Sequence, residues 1–438
     1  MERTTRRTFL AGTTAAGVVA LAGCGQDEPE EEPDAEPEPE PEPEDDEEMA
    51  EDDEEFEASY EIWAADQGTN TIYIYEPAGD GDFEEVDSID TGAENGEVPH
   101  MVDYSSDYEY VAVACTAGAR TLVYRTEDRE LVANLETGAG SHFAGFTPDD
   151  EFIHVDVIGD EKIVRVDADL ENEEFEQVDE INVRENDTIV EAGIETGSPI
   201  CHQHTHDGRS LHTMGPSYHD ASLVIVDHDD FSVDRAHPGD EVPTNCGTVS
   251  HPTDDKFYLT AGLPSDPDAD PEEDPVAADG VGDYYVYDTA EDEVTTVGST
   301  GGVDAHGFWF PPEGDELWVL NRETNDGVVI DPETDEVIEE IDAFGPEQSD
   351  DPNEADSPDI MWASPDGEFM FVTLRGPNPL SGDPHAATGI NPGFAVMDID
   401  SREIVDTIQP DGDNEDSDFH GIGVRPLESF DGFTSPSY

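Results

Sequence analysis

Four histidines and an aspartate recur at one position of a repeated pattern, and this recurrence is the strongest chemical signal in the sequence. A turn carrying an acid comes back at Asp107, Asp149, Asp207, Asp254, Glu313 and Asp366. Seven residues before these acids stand His100, His142, Ile200, Gly247, His306 and Asp359, and His420 opens one more strand of the same kind. Only 14 histidines are spread over 438 residues, so four at seven equivalent anchor positions exceed chance. Neutral imidazoles converging from several strands suit Cu, Fe or Zn, with Asp359 completing the shell or orienting a ligand. Two other readings stay open: histidines that hydrogen-bond backbone between neighbouring repeats, and a polar mouth for an organic ligand.

A second cluster is Cys201-His202-Gln203-His204-Thr205-His206, with His212 nearby. Strand alternation puts His202, His204 and His206 on one side. If that side also carries the anchor, His202 lies just below the mouth and joins the metal set. The alternative is polar filling of a channel with water. His206 falls in the turn and is expected in solvent. Cys201 and Cys246 sit beside the anchors Ile200 and Gly247, at nearly one level. A disulfide between them is the preferred reading if the chain is exported, with thiolate ligation or two free thiols as alternatives. Cys115 reads as a small core residue.

The elements that must position these side chains are short strands. From Tyr60 onward, apolar runs alternate with Asp, Gly, Asn and Pro turns. Each acid-bearing turn is followed by a strand such as Tyr110-Val111-Ala112-Val113, Leu317-Trp318-Val319-Leu320 or Phe369-Met370-Phe371-Val372. A third strand of the type Leu223-Val224-Ile225-Val226-Asp227 follows, then a last one such as Glu336-Val337-Ile338-Glu339-Glu340-Ile341. Four strands per repeat make one blade, and stacked blades bury faces that no single blade could bury. The first repeat lacks an inner strand, and Gly421-Ile422-Gly423-Val424 near the end has no blade left after it. The expected fold is therefore all-β, a seven-bladed propeller closed by the C-terminal strand pairing with the N-terminal three strands.

This pattern resembles the YVTN family of β-propeller repeats, found in archaeal surface proteins and bacterial periplasmic proteins, from Tyr60 to Leu427. Within that resemblance Pro-His is common at the anchor, as Pro99-His100 is here, which favours a structural role for the histidines. Propellers of the nitrous oxide reductase and cytochrome-type nitrite reductase classes place histidines around the same mouth, which implies a redox metal. No Cys-x-x-Cys-His haem motif occurs here. Seven-bladed lactonases share the architecture and supply a third, hydrolytic reading.

The termini and the charge set the context. Thr5-Arg6-Arg7-Thr8-Phe9-Leu10 resembles a twin-arginine export signal, and Leu21-Ala22-Gly23-Cys24 a lipobox with Cys24 as the lipidated residue. The expected organisation is a signal segment over 1–24, an acidic Pro/Glu stalk over 25–58, the propeller over 59–430 and a tail over 431–438. Lys plus Arg total 16 against 113 Asp plus Glu, a formal net charge of −97 spread along the whole chain. That balance reads as surface adaptation to concentrated salt, as in a haloarchaeal protein, and it excludes a nucleic-acid partner. The long insertions 184–198, 264–282, 343–357 and 376–393, with Gly215 to Ala221, fall on the anchor face, where function is expected. The last two of these carry His385 and His219, and 376–393 is placed to fold over the mouth. The expectation is a monomer held to the outer face of the cell membrane by a lipid anchor. It binds a small-molecule ligand or protein partner at the histidine-lined mouth of its central channel, on the loop face, or else works as an exported Cu, Fe or Zn protein with a redox role.

Overall fold

The computed structural model describes residues 58–79, 81–194, 197–215, 221–349, 354–381, 388–410 and 414–430. Cys24, the signal segment, nearly all of the stalk, His219, His385 and the tail after 430 lie outside them. The described chain forms seven four-stranded antiparallel sheets arranged as a propeller. The first blade is closed as the repeat requires. The last strand, Phe419–Pro426, pairs with Tyr60–Asp66, setting Ile62 opposite Val424 and Trp63 opposite Gly423. Glu61 receives Arg425 at 3.1 Å across this seam and Arg129 of the second blade at 2.6 Å.

Blade stacking explains why the second strands read as unbroken apolar runs. Tyr110–Cys115 and Leu317–Asn321 are buried at every residue, because each faces a neighbouring blade on both sides. Outer strands such as Glu336–Ile341 are largely exposed and acidic. The recurring turn has a local cause. Ser105 and Thr147 donate their hydroxyls to Asp107 and Asp149 at 2.8 and 2.7 Å, and accept the N–H of Tyr110 and Phe152 at 3.0 Å. Thr205 with Asp207 and Ser364 with Asp366 repeat the arrangement. In the fifth blade the His251 ring takes the hydroxyl's place, its Nδ1 accepting from the N–H of Asp254 at 2.9 Å. His251 is thus a turn residue, and in four blades the acid that reveals the repeat bonds the hydroxyl that holds the start of the second strand.

The inner strands carry the feature that aims the anchors. In six of the seven, the pairing register breaks at or beside the anchor: between Pro99 and Met101, Ser141 and Phe143, Pro199 and His202, Ala305 and Phe308, Pro358 and Met361, and opposite the Ala64–Asp66 step at His420. Such a bulge turns the extra residue out of the pleat, here toward the propeller axis. The fifth inner strand, Thr248–Ser250, begins after Gly247 and has no such break.

Candidate metal sites

The bulges bring His100, His142 and His420 together. The rings of His100 and His142 lie 3.9 Å apart, those of His100 and His420 3.7 Å, and those of His306 and His420 6.4 Å. His306 Nε2 and His420 Nε2 stand 3.1 and 3.5 Å from the two oxygens of Asp359. All five side chains are buried, so they plug the axis instead of lining an open mouth. The start of the 376–393 insertion contributes to that burial. Arg375 donates to the carbonyl of Ser381 at 2.9 Å, and Ser381 donates to Gln67, which is hydrogen-bonded to His100.

Two guanidinium groups stand inside this set. Arg375 holds Asp359 at 2.7 Å and Asp418 at 2.7 and 2.9 Å, while Arg322 holds Asp304 at 2.7 Å and approaches Asp359 at 3.7 Å. Burial raises the Asp359 carboxyl, but Arg375, His306 and Arg322 outweigh it and hold the group ionised. Burial, Arg322 and Arg375 push His306 down to about 3, and burial pushes His142 down to about 4. The anchors are neutral imidazoles around a carboxylate that already has its counter-cations.

The second histidine cluster forms between the third and fourth blades. His154 and Asp156 lie on the strand Phe152–Val157, the second of its blade. His202 and His204 lie on the inner strand Pro199–His204, where His202 pairs directly with His212 and His204 with Ser210 of Arg209–Met214. Asp156 reaches across the blade boundary to both members of the first pair. Its Oδ2 is 2.5 Å from His202 Nδ1 and its Oδ1 is 2.7 Å from His212 Nδ1, with all three side chains fully buried. His204 Nδ1 lies 3.0 Å from His228 Nε2, and the His154 ring is 5.6 and 5.4 Å from those of His204 and His228. The ligating atoms of Asp156, His202 and His212 fall within 4.8 Å of one another, as do those of His154, His204 and His228.

Electrostatics distinguish this cluster from the axial one. Burial raises the Asp156 carboxyl, but His202 and His212 overcome that and hold it ionised. No arginine is ion-paired with it among the described residues. Burial, aided by the neighbouring imidazoles, holds His154 and His204 well below the usual imidazole range, and burial also lowers His212. Among the described residues, Nε2 of His154 and of His202 is buried without a hydrogen-bond partner. Gly145 leaves the space for one of these rings, since a Cβ there would stand 3.1 Å from His202 Nε2 and 2.9 Å from the Phe143 ring. A carboxylate and convergent imidazoles without a competing cation suit a divalent transition ion.

His202 therefore joins Asp156 and His212 at the boundary of the third and fourth blades, not the axial grouping of His306, Asp359 and His420, which come from the sixth, seventh and first blades. His206 is exposed in its turn and bonds the carbonyl of His251 at 2.7 Å. Cys201 and Cys246 are joined by a disulfide with Cα atoms 5.4 Å apart, and Cys115 is free and buried. Sequence reading missed Asp156, His154 and His228, which approach the His202 strand from elsewhere. The available signal was Ile153-His154-Val155-Asp156-Val157, a buried strand with polar residues at alternate positions. It also missed Gln67, Arg322 and Arg375, each placed directly after the second strand of its blade.

No family model matches the sequence, and no curated protein matches it. Among solved structures, the chain is similar to a protein from Lactobacillus plantarum at 12% identity, covering 85% of this chain and 100% of that one with a TM-score of 0.59. It is also similar to the hydrazine synthase of Kuenenia stuttgartiensis at 12% identity, covering 69% of this chain and 77% of that one with a TM-score of 0.50. These likenesses show the propeller fold.

Proposed function

We propose that this chain is a metal-binding propeller that holds a zinc-like divalent ion between its third and fourth blades. The ligands are Asp156, His202 and His212, with His154, His204 and His228 as an adjoining group of donors. The observation that carries the reading is the convergence of two buried imidazoles on one buried, ionised carboxylate that has no arginine partner among the described residues. An ion there takes the place of the two protons bridging Asp156 to the rings. Zinc with nitrogen and oxygen ligands sits about 2.0–2.2 Å from each, which puts two ligand atoms of a tetrahedral ion about 3.4 Å apart, so both contacts must open by roughly 0.7–0.9 Å. The site is closed, whereas catalytic metal sites keep a position for water or substrate. Holding the ion, rather than turning over a substrate, is the role this geometry favours.

The axial set of His100, His142, His306, His420 and Asp359 supports a structural reading. Asp359 is already neutralised, and a dication would sit against Arg322 and Arg375. The hydrolytic reading finds a superficial match in Ser210, whose Oγ is 2.9 Å from His212 Nε2, with His212 in turn bonded to Asp156. Ser210 is fully buried in the blade interface, so no acyl substrate reaches it. Export and lipid anchoring at Cys24 complete the proposal, supported by the Arg6-Arg7 and Leu21-Ala22-Gly23-Cys24 motifs and by the acidic surface. Zinc titration against a competing chelator in molar salt tests the function, because salt weakens adventitious binding to surface carboxylates. About one tightly held ion per chain, lost in an Asp156→Ala/His212→Ala variant that stays folded, is expected. Equal tight binding by both proteins would overturn the assignment.

A further inference from the structure

The Cys201–Cys246 disulfide lies apart from the proposed ion and has its own histidine. It ties the inner strand Pro199–His204 of the fourth blade to Cys246, two residues before the fifth blade's short inner strand Thr248–Ser250. His142, from the third blade, places Nδ1 3.8 Å from Cys201 Sγ and 2.8 Å from the carbonyl of Ile200. The donor atoms of His142, Cys201 and Cys246 lie within 4.8 Å of one another, and all three residues are buried. A cavity of about 50 Å³ opens against both cysteines, with Met101, Phe143 and Phe308 among its walls. That volume is enough for a few waters or an entering ion.

We propose that this disulfide is the oxidised form of a second, soft-metal site, in which reduced Cys201 and Cys246 with His142 bind a d10 ion such as Cu(I), Zn(II) or Cd(II). The site is independent of the Asp156 reading. Its opening is a two-electron step. A small dithiol breaks the S–S bond by exchange, delivers two electrons and two protons to the sulfurs, and leaves as its own cyclic disulfide. Ion binding then releases both thiol protons to solvent, because the thiolate is the ligand. Two sulfurs on one tetrahedral ion at about 2.3 Å each stand about 3.8 Å apart. The Cα separation of 5.4 Å accommodates this with little backbone movement. His142 gives up its bond to the Ile200 carbonyl if Nδ1 ligates. Burial keeps that ring neutral at ordinary pH, as a ligand must be.

The test uses a Cys24→Ser/Cys115→Ala background, so that Cys201 and Cys246 are the only sulfhydryls. Cd(II) is titrated into oxidised and dithiol-reduced protein while the ultraviolet thiolate-to-cadmium charge-transfer band is followed. The band should appear with one equivalent only after reduction, and a further His142→Ala change should weaken the apparent affinity at least tenfold. Reduced protein that remains folded by circular dichroism yet shows no band would overturn the proposal. So would a band whose affinity is unaltered by His142→Ala. A Cys201→Ser change must abolish the band, and its survival there would also count against the site. The Asp156 site carries no sulfur and is invisible to this band, so its failure and this one are separable.

Discussion

Replacing Asp156 by Asn removes one charge and keeps the shape, which makes it the sharpest perturbation of the proposed site. The native carboxylate accepts from two imidazole N–H groups at 2.5 and 2.7 Å in full burial. An amide offers one acceptor oxygen, and its NH2 points a donor at the other imidazole's N–H. One ring must then switch tautomer or lose its partner. Breaking one partner of a buried charged network costs roughly 3–5 kcal/mol. At about 2.1 cal/mol/K per residue of unfolding entropy, a domain of ~370 residues loses roughly 1.3 °C in Tm per kcal/mol. The metal-free variant should therefore melt roughly 4–6 °C lower. Zinc affinity should fall further than the 10–100-fold typical of an orienting residue, since Asp156 is itself a ligand. Chelator competition followed by calorimetric melting checks both quantities. An Asp156→Asn protein with native zinc affinity and native Tm would refute the reasoning.

Acid should destabilise the propeller before most carboxylates titrate. Burial lowers His142 to about 4 and His306 to about 3, so the unfolded chain binds more protons as pH falls below about 6.5. Their contributions are intact above that pH. They are lost progressively on acidification, by roughly 3 and 5 kcal/mol when fully titrated. Asp103, raised to about 7 by burial, acts in the opposite sense and gains as pH falls, but one carboxyl does not offset several imidazoles. Denaturant midpoints that stay level between pH 7 and 5 would contradict this balance. Arg375→Met should cost roughly 3–5 kcal/mol by removing the guanidinium that bridges the buried carboxylates Asp359 and Asp418, while zinc affinity at the distant blade interface stays within twofold. Ser210→Ala should leave any weak esterase activity of the preparation unchanged. A specific loss of activity in that variant would revive the hydrolytic reading.

The propeller was legible in the sequence because its turns repeat a bonding pattern, not merely a composition. Ser105 with Asp107 and Thr147 with Asp149 fix the start of the second strand, so the acid recurs at a fixed distance from the anchor. Counting those anchors yields seven blades, and the orphan strand around Ile422 yields the closure. The anchors' convergence was legible for the same reason, since each inherits its direction from a bulge. Their environment was not. Arg322 and Arg375 enter from a different strand of the repeat, and their pairing with Asp359 decides whether the set can take a cation. The blade-interface site was half legible. His202, His204 and His212 stand out as a cluster, yet the carboxylate that organises them lies 46 residues before His202 on another blade. Strand alternation predicts which side a residue faces, but not which neighbour it meets.

Crystals grown with one equivalent of zinc in molar salt, with data collected on both sides of the zinc absorption edge, test the central claim most directly. The account predicts one strong anomalous peak between the third and fourth blades, within bonding distance of Asp156, His202 and His212. A peak at His306, Asp359 and His420 instead, or peaks confined to surface carboxylates, would contradict it.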